Sequence, residues 1–129
     1  MSHTEQEEAN LKLVLEMFEN VLNPMDSSAV DRYFSPDYIQ HSQLAPPGLD
    51  ALKSFLDMIK KDTPDAVHDI KRAFADGDHV IVHYHVRRWP GDDGWAVIDI
   101  FRVENGLVAE HWDVLQNIEA GGPNPNSPF

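Results

Sequence analysis

The 129-residue chain has no cysteine. This excludes disulfides, thiol nucleophiles and thiolate-held metals, so any catalysis has to come from His, Asp, Glu, Tyr, Ser or Lys. Positive charge is scarce, with 10 Lys and Arg against 22 Asp and Glu and a formal net charge of -12. Basic residues come in pairs at most, as at Lys71-Arg72 and Arg87-Arg88. So acidic a chain repels phosphate backbones and anionic lipid surfaces, so neither nucleic acid nor a membrane is an expected partner. No apolar run approaches the roughly 20 residues that cross a bilayer. The segment Met1-Ser2-His3-Thr4-Glu5 lacks the basic-then-apolar pattern of a secretory leader, and a cytoplasmic protein is expected. A Gly-rich phosphate loop, a Gly-x-Ser-x-Gly elbow and a dinucleotide fingerprint are all missing, which argues against nucleotide cofactors and serine-hydrolase chemistry.

The remaining composition, 42% hydrophobic and 25% charged, fits one globular domain with one core. Thr4 and Glu7 have capping-box spacing, and Leu11, Val14, Leu15, Phe18, Val21 and Leu22 then recur on one helical face until Pro24. Asp26 or Ser27 can cap a short second helix carrying Val30, Tyr33 and Phe34, with Ser35-Pro36-Asp37 as punctuation after it. Tyr38 to His41 reads as a short extended piece, and residues 42–47 as a loop. A third helix carries Leu49, Leu52, Phe55, Leu56 and Ile59 and ends in Lys60-Lys61, which suits the negative end of its dipole.

From Ala66 the period changes to two, with His68, Ile70, Arg72 and Phe74 on one face. Turn signals at Asp76-Gly77, Pro90 to Gly94 and Asn105-Gly106 divide the rest into four antiparallel strands. Helices followed by a run of strands give an α+β domain over residues 1–117, with a loose Pro/Gly/Asn-rich tail over 118–129. Two strands are apolar on both faces, so a covering group such as a second subunit is expected on the face the helices leave open.

Asp99 stands out as an acid inside the apolar strand Trp95-Ala96-Val97-Ile98-Asp99-Ile100-Phe101. A carboxylate there must be paired, protonated or functional, because burial of an isolated charge costs several kcal/mol or more. The bland reading is a structural acid tied to a buried Arg or Tyr. If Trp89 and Trp95 flank a loop over residues 90–94, His85 lies directly opposite Asp99 and the two form a proton-transfer dyad. A one-residue slip would break that pairing. His83 and His85 share a strand face, a spacing that also suits two metal ligands, with His41, His111 or Asp113 as a third. Seven histidines often include such a pair by chance, so no metal is expected. In Glu110-His111-Trp112-Asp113, a two-residue Asn105-Gly106 turn sets Trp112 opposite Asp99, and a three-residue turn sets His111 there. Both arrangements stay open. His41 closes the short extended piece before the Pro-rich loop and is a candidate to shape a site.

The order of elements, the segment Asp37-Tyr38-Ile39-Gln40-His41, and Asp99-Ile100-Phe101-Arg102-Val103-Glu104-Asn105-Gly106 running into Glu110-His111-Trp112-Asp113-Val114 resemble the SnoaL-like polyketide cyclase family of the nuclear transport factor 2-like superfamily. The resemblance spans about residues 5–117. It implies a cone-shaped, curved antiparallel sheet with three N-terminal helices enclosing a hydrophobic pocket, and pairing of two copies through the outer sheet face. It also implies cofactor-independent acid/base proton transfer next to a carbonyl on a small hydrophobic molecule, as in aldol cyclisation or isomerisation. Carried over by motif, the catalytic residues would be Asp99 and His85, with Tyr38, His41, His83, His111 and Trp112 around the substrate. Because the superfamily reuses one pocket for many purposes, a non-catalytic binding or dimerisation domain is the alternative.

Overall fold

The computed structural model describes residues 3–129. Helix α1 (Glu5–Met17) starts at the expected capping box: Thr4 Oγ1 accepts from the Glu7 N–H at 3.1 Å, and the Glu7 carboxylate accepts from the Thr4 N–H at 2.8 Å. The helix widens into a π-turn over Phe18–Leu22. Val14, Met17, Phe18 and Val21 are fully buried, whereas Leu15 is 36% exposed and leaves its expected place in the core to Met17. Asp26 accepts from the Ser28 N–H and caps a 3₁₀ turn (Ser27–Ala29) that leads into α2 (Val30–Tyr33). Helix α3 spans Leu49–Asp62 and ends on Lys60 and Lys61 as expected. None of these helices is long and apolar enough to cross a membrane.

Strand β1 runs over Phe34–Gln40, so Ser35-Pro36-Asp37 lies within a strand rather than ending one. The strand sits at a sheet edge, and its pairing with β5 lapses between Phe34 and Ile39. A proline with no N–H is tolerated at such a place. Strands β2 (Val67–Asp76), β3 (His79–Arg87), β4 (Trp95–Glu104) and β5 (Leu107–Asn117) form the expected antiparallel meander. The strand order is β1-β5-β4-β3-β2, with β1 parallel to β5, so the sheet is mixed rather than wholly antiparallel.

Three irregularities decide which side chains face the helices. A register shift between Ile70 and Arg72 turns β2 over, so His68 stays half-buried while Arg72 and Phe74 point outward; strict alternation had kept all three together. Asn105-Gly106 is a two-residue turn with positive φ at both residues, and a bulge at Ala109 then shifts β5 by one. Asp99 therefore lies opposite Asp113, not opposite Trp112 or His111. Residues 87–94 link the paired positions Val86 and Trp95, because Asp92 folds back onto the Arg88 N–H at 3.0 Å and its guanidinium at 2.8 and 3.1 Å. This link is longer than the expected loop. It sets His85 opposite Ala96 and Asp99 opposite Val82, and so removes the His85–Asp99 pairing. The offset is an odd number of residues, which moves His85 to the opposite face of the sheet from Asp99.

The core lies between the helices and the inner sheet face. Phe18 meets Tyr84 and Phe101 edge-on, with centroids 5.1 and 5.9 Å apart. Val80, Val82, Val97 and Val108 complete it with Leu52 and Leu56 of α3. On the outer face the Phe129 ring of the 118–129 tail rests against His83 and His85, with centroids 5.2 and 4.8 Å away, so the end of this tail is seated rather than loose.

Gly94 closes the 87–94 link with φ +74, and a Cβ there would strike the Val86 carbonyl. Gly94→Ala is expected to lower stability by about 1–3 kcal/mol or more, read as a drop in the urea midpoint at unchanged slope.

Candidate functional site

A cavity of about 390 Å³ opens between α3 and the inner sheet face, within the usual range for small-molecule sites. Leu52, Phe55 and Leu56 of α3 and Trp95, Val97 and Leu115 of the sheet give it apolar walls. All five strands contribute polar groups to it: Tyr38 and Gln40 from β1, His68 from β2, Tyr84 from β3, Asp99 from β4, and His111 and Asp113 from β5.

Asp99 is 2% exposed and His111 9%. Tyr84 donates its hydroxyl to Asp99 Oδ2 at 2.8 Å. His111 Nε2 lies 3.1 Å from Asp99 Oδ1, close enough for an ion pair although not aligned as a regular hydrogen bond, and neither atom has another partner. On the far side of the ring, Nδ1 is 2.7 Å from Gln40 Oε1. The backbone explains the convergence. Gln40 and His111 are parallel register partners on β1 and β5, and His111 lies opposite Phe101, two residues along β4 from Asp99. Residues two apart share a face.

Electrostatics divides the polar groups by role. Burial, then the nearby Asp99 charge, pushes the Tyr84 phenol far up, so it stays a donor. Burial does the same to Tyr38, helped by Asp99 and Asp113. Burial pulls His68 down against the opposing pull of Asp99, so its ring is kept neutral, and its buried Nδ1 has no partner. Burial raises Asp113 above its ordinary value of 3.8; Asp99 adds to this, while Ser42 and His111 oppose it.

Of the residues singled out from the sequence, Asp99, Tyr38 and His111 line the cavity. His85, His83, His41 and Trp112 do not, because they project from the outer face. His85 is held by the Asp93 carbonyl at 2.7 Å and His83 contacts Arg72. His41 pairs with Glu110 at 2.6 Å and stacks on Trp112 at 4.9 Å. The face of β5 left open by the sequence is thus the His111/Asp113 face. Tyr84, His68 and Gln40 were not singled out. Tyr84 carried a signal, since it alternates with Val80, Val82 and Val86; Gln40 carried none, because only the long-range pairing of β1 brings it to His111.

The metal arrangement built on His83 and His85 with His111 or Asp113 is ruled out by their opposite faces. Asp99, His111 and Asp113 do each offer a ligand atom within 4.8 Å of the others, a one-imidazole, two-carboxylate set of the kind that holds a divalent cation.

A family model described as SnoaL-like domain matches residues 14–111. No curated protein matches the chain. Among solved structures, a candidate polyketide cyclase from Bacillus cereus ATCC 10987 is 18% identical with a TM-score of 0.75, over 89% of this chain and 80% of that one. A candidate SnoaL-like polyketide cyclase from Jannaschia sp. CCS1 is 18% identical with a TM-score of 0.73, over 89% and 90%. AclR, a candidate hydroxylase from Streptomyces galilaeus, is 23% identical with a TM-score of 0.72, over 86% and 81%. These likenesses establish the shared α+β fold.

The raised Asp113 carboxyl has a consequence for stability. The folded protein holds this proton to higher pH than the unfolded chain, so stability falls as pH rises through the window above 3.8. Asp113→Asn is expected to leave the melting temperature unchanged near pH 3 and to raise it at neutral pH, as checked by thermal melts across that range.

Proposed function

The chain belongs to the SnoaL-like domain family, and from that membership and its cavity we propose a cofactor-independent enzyme that moves a proton next to a carbonyl group of a small, neutral, hydrophobic substrate. The observation that carries this reading is the buried Asp99–His111 contact at the polar end of an apolar cavity. The apolar walls suit a hydrophobic body. Two carboxylates stand at the polar end, and the one guanidinium on the wall, Arg88, is engaged by Asp92. An anionic group would meet repulsion there, which favours a neutral ligand.

In the proposed reaction Asp99 is the general acid/base and His111 holds or shares its proton. The C–H electron pair left behind when the proton is taken delocalises into the neighbouring carbonyl as an enolate. That enolate either attacks a second carbonyl carbon of the same molecule, as in an aldol closure, or is reprotonated at another carbon, as in an isomerisation. In the closure the new alkoxide takes back the proton. Tyr84 donates to Asp99 throughout and keeps the charge in place. Asp113, with an oxygen within 4.8 Å of Asp99 and His111 and a carboxyl that burial raises above its ordinary value, donates to the developing oxyanion when it carries a proton.

The test is hydrogen–deuterium exchange at carbon next to the carbonyl of neutral aryl ketones and diketones in deuterated buffer, followed by NMR. The wild type is expected to catalyse exchange. Asp99→Asn and His111→Gln are expected to reduce it by about 10²–10⁴-fold while ligands still bind. His85→Gln, on the outer face, is expected to leave the rate within about twofold of wild type. Ligands that bind without any wild-type exchange would overturn the enzymatic reading in favour of a binding domain.

A further inference from the structure

The amide of Gln40 settles where the protons of the buried pair lie. Its Oε1 receives two contacts, 3.1 Å from the Ser42 backbone N–H and 2.7 Å from His111 Nδ1. A backbone N–H only donates, so the amide atom facing Ser42 must be the oxygen, and the orientation of the amide follows from the main chain. An oxygen acceptor facing Nδ1 in turn requires Nδ1 to carry a proton. The backbone leaves little slack for any other arrangement. Gln40 and His111 are parallel register partners, and the His41 N–H binds the His111 carbonyl at 2.9 Å.

With Nδ1 protonated, a neutral His111 would leave an unprotonated Nε2 only 3.1 Å from Asp99 Oδ1. Two electron-rich atoms at that distance repel, and both are buried with no alternative partner. Asp99 Oδ2 is already engaged by the Tyr84 hydroxyl, so the carboxylate has no second orientation in which to relieve the clash. A proton on one of the two atoms relieves that repulsion.

We propose that Gln40 is a positioning residue that locks His111 in the Nδ1–H form, so that the Asp99–His111 pair holds two protons, one on Nδ1 and one on Nε2 or Oδ1. Without Gln40 the pair would need only one proton, on Nε2, donated to an ionised Asp99. The lock thus gives the pair one proton more than an Nε2–H imidazole beside an ionised carboxylate would hold. This rests on the proton-transfer reading above for its meaning in catalysis, but the placement of the protons does not depend on any substrate.

The test reads the ring nitrogens of His111 directly, by long-range ¹H–¹⁵N correlation spectra of ¹⁵N-labelled, ligand-free protein, with His111→Gln as the assignment control. In the wild type Nδ1 is expected at the shift of a protonated nitrogen. In Gln40→Leu it is expected to move to the unprotonated position while Nε2 keeps its proton. Gln40→Glu, which preserves an acceptor oxygen, is expected to restore the wild-type Nδ1 signal. An unprotonated Nδ1 in the wild type would overturn the proposal without any variant, and so would a Gln40→Leu spectrum with Nδ1 still protonated. Circular dichroism of both variants separates a lost lock from a lost fold. The ring-nitrogen result stands apart from the exchange assay: Nδ1 can prove locked in a protein that exchanges no carbon-bound hydrogen, and the reverse.

Discussion

The carboxyl group of Asp99 sits in the middle of an apolar strand with almost no access to water, and much of the inner architecture answers to it. An isolated charge there would be prohibitive, since an unpaired buried ion costs several kcal/mol or more. Each oxygen meets one group, Tyr84 on one side and His111 on the other. His111 in turn is met by Gln40, and Gln40 by the Ser42 backbone. The chain of contacts runs from the hydrophobic interior to the sheet edge, so the edge strand and the buried acid are parts of one network. β1, short and interrupted by Pro36, brings Gln40 to the ring of His111 through its parallel pairing with β5.

The same network divides the sheet into two chemically unlike faces. Inside, the carboxyl groups of Asp99 and Asp113, the phenols of Tyr38 and Tyr84 and the imidazoles of His68 and His111 line an apolar cavity. Outside are His41 on Trp112, His83 beside Arg72, and His85 on the Asp93 carbonyl, each satisfied by a neighbour on its own side. His68 inside answers to burial and then to the charge on Asp99, the condition under which acid/base groups depart from their solution behaviour.

Much of this was legible in the sequence. The capping box, the three helices, the four-strand meander and the exceptional status of Asp99 all follow from local patterns, because capping and periodicity act within a few residues. The partner of Asp99 was not legible. It depends on register, and register is set here by features with weak local signatures: the Arg88–Asp92 clamp that lengthens one link, the bulge at Ala109, and the shift beside Lys71. A chemically reasonable dyad, Asp99 with His85, failed because the link between β3 and β4 runs over 87–94, longer than the loop that Trp89 and Trp95 bracket. Tyr84 could have been found, since it shares its strand face with three buried valines. Gln40 could not, because a parallel partner on an edge strand is a long-range fact.

The bulge at Ala109 also bears on how such a cavity could change over evolutionary time. Point substitutions alter one lining residue at a time, whereas loss of the single extra residue would exchange the whole inward set of β5 for the outward one. Trp112 would then enter where His111 and Asp113 now stand, and a polar floor would become an aromatic one in one event. A fold with such a hinge in its register has a short mutational path between two different β5 walls around the same Asp99, with the remaining strands and helices left as they are.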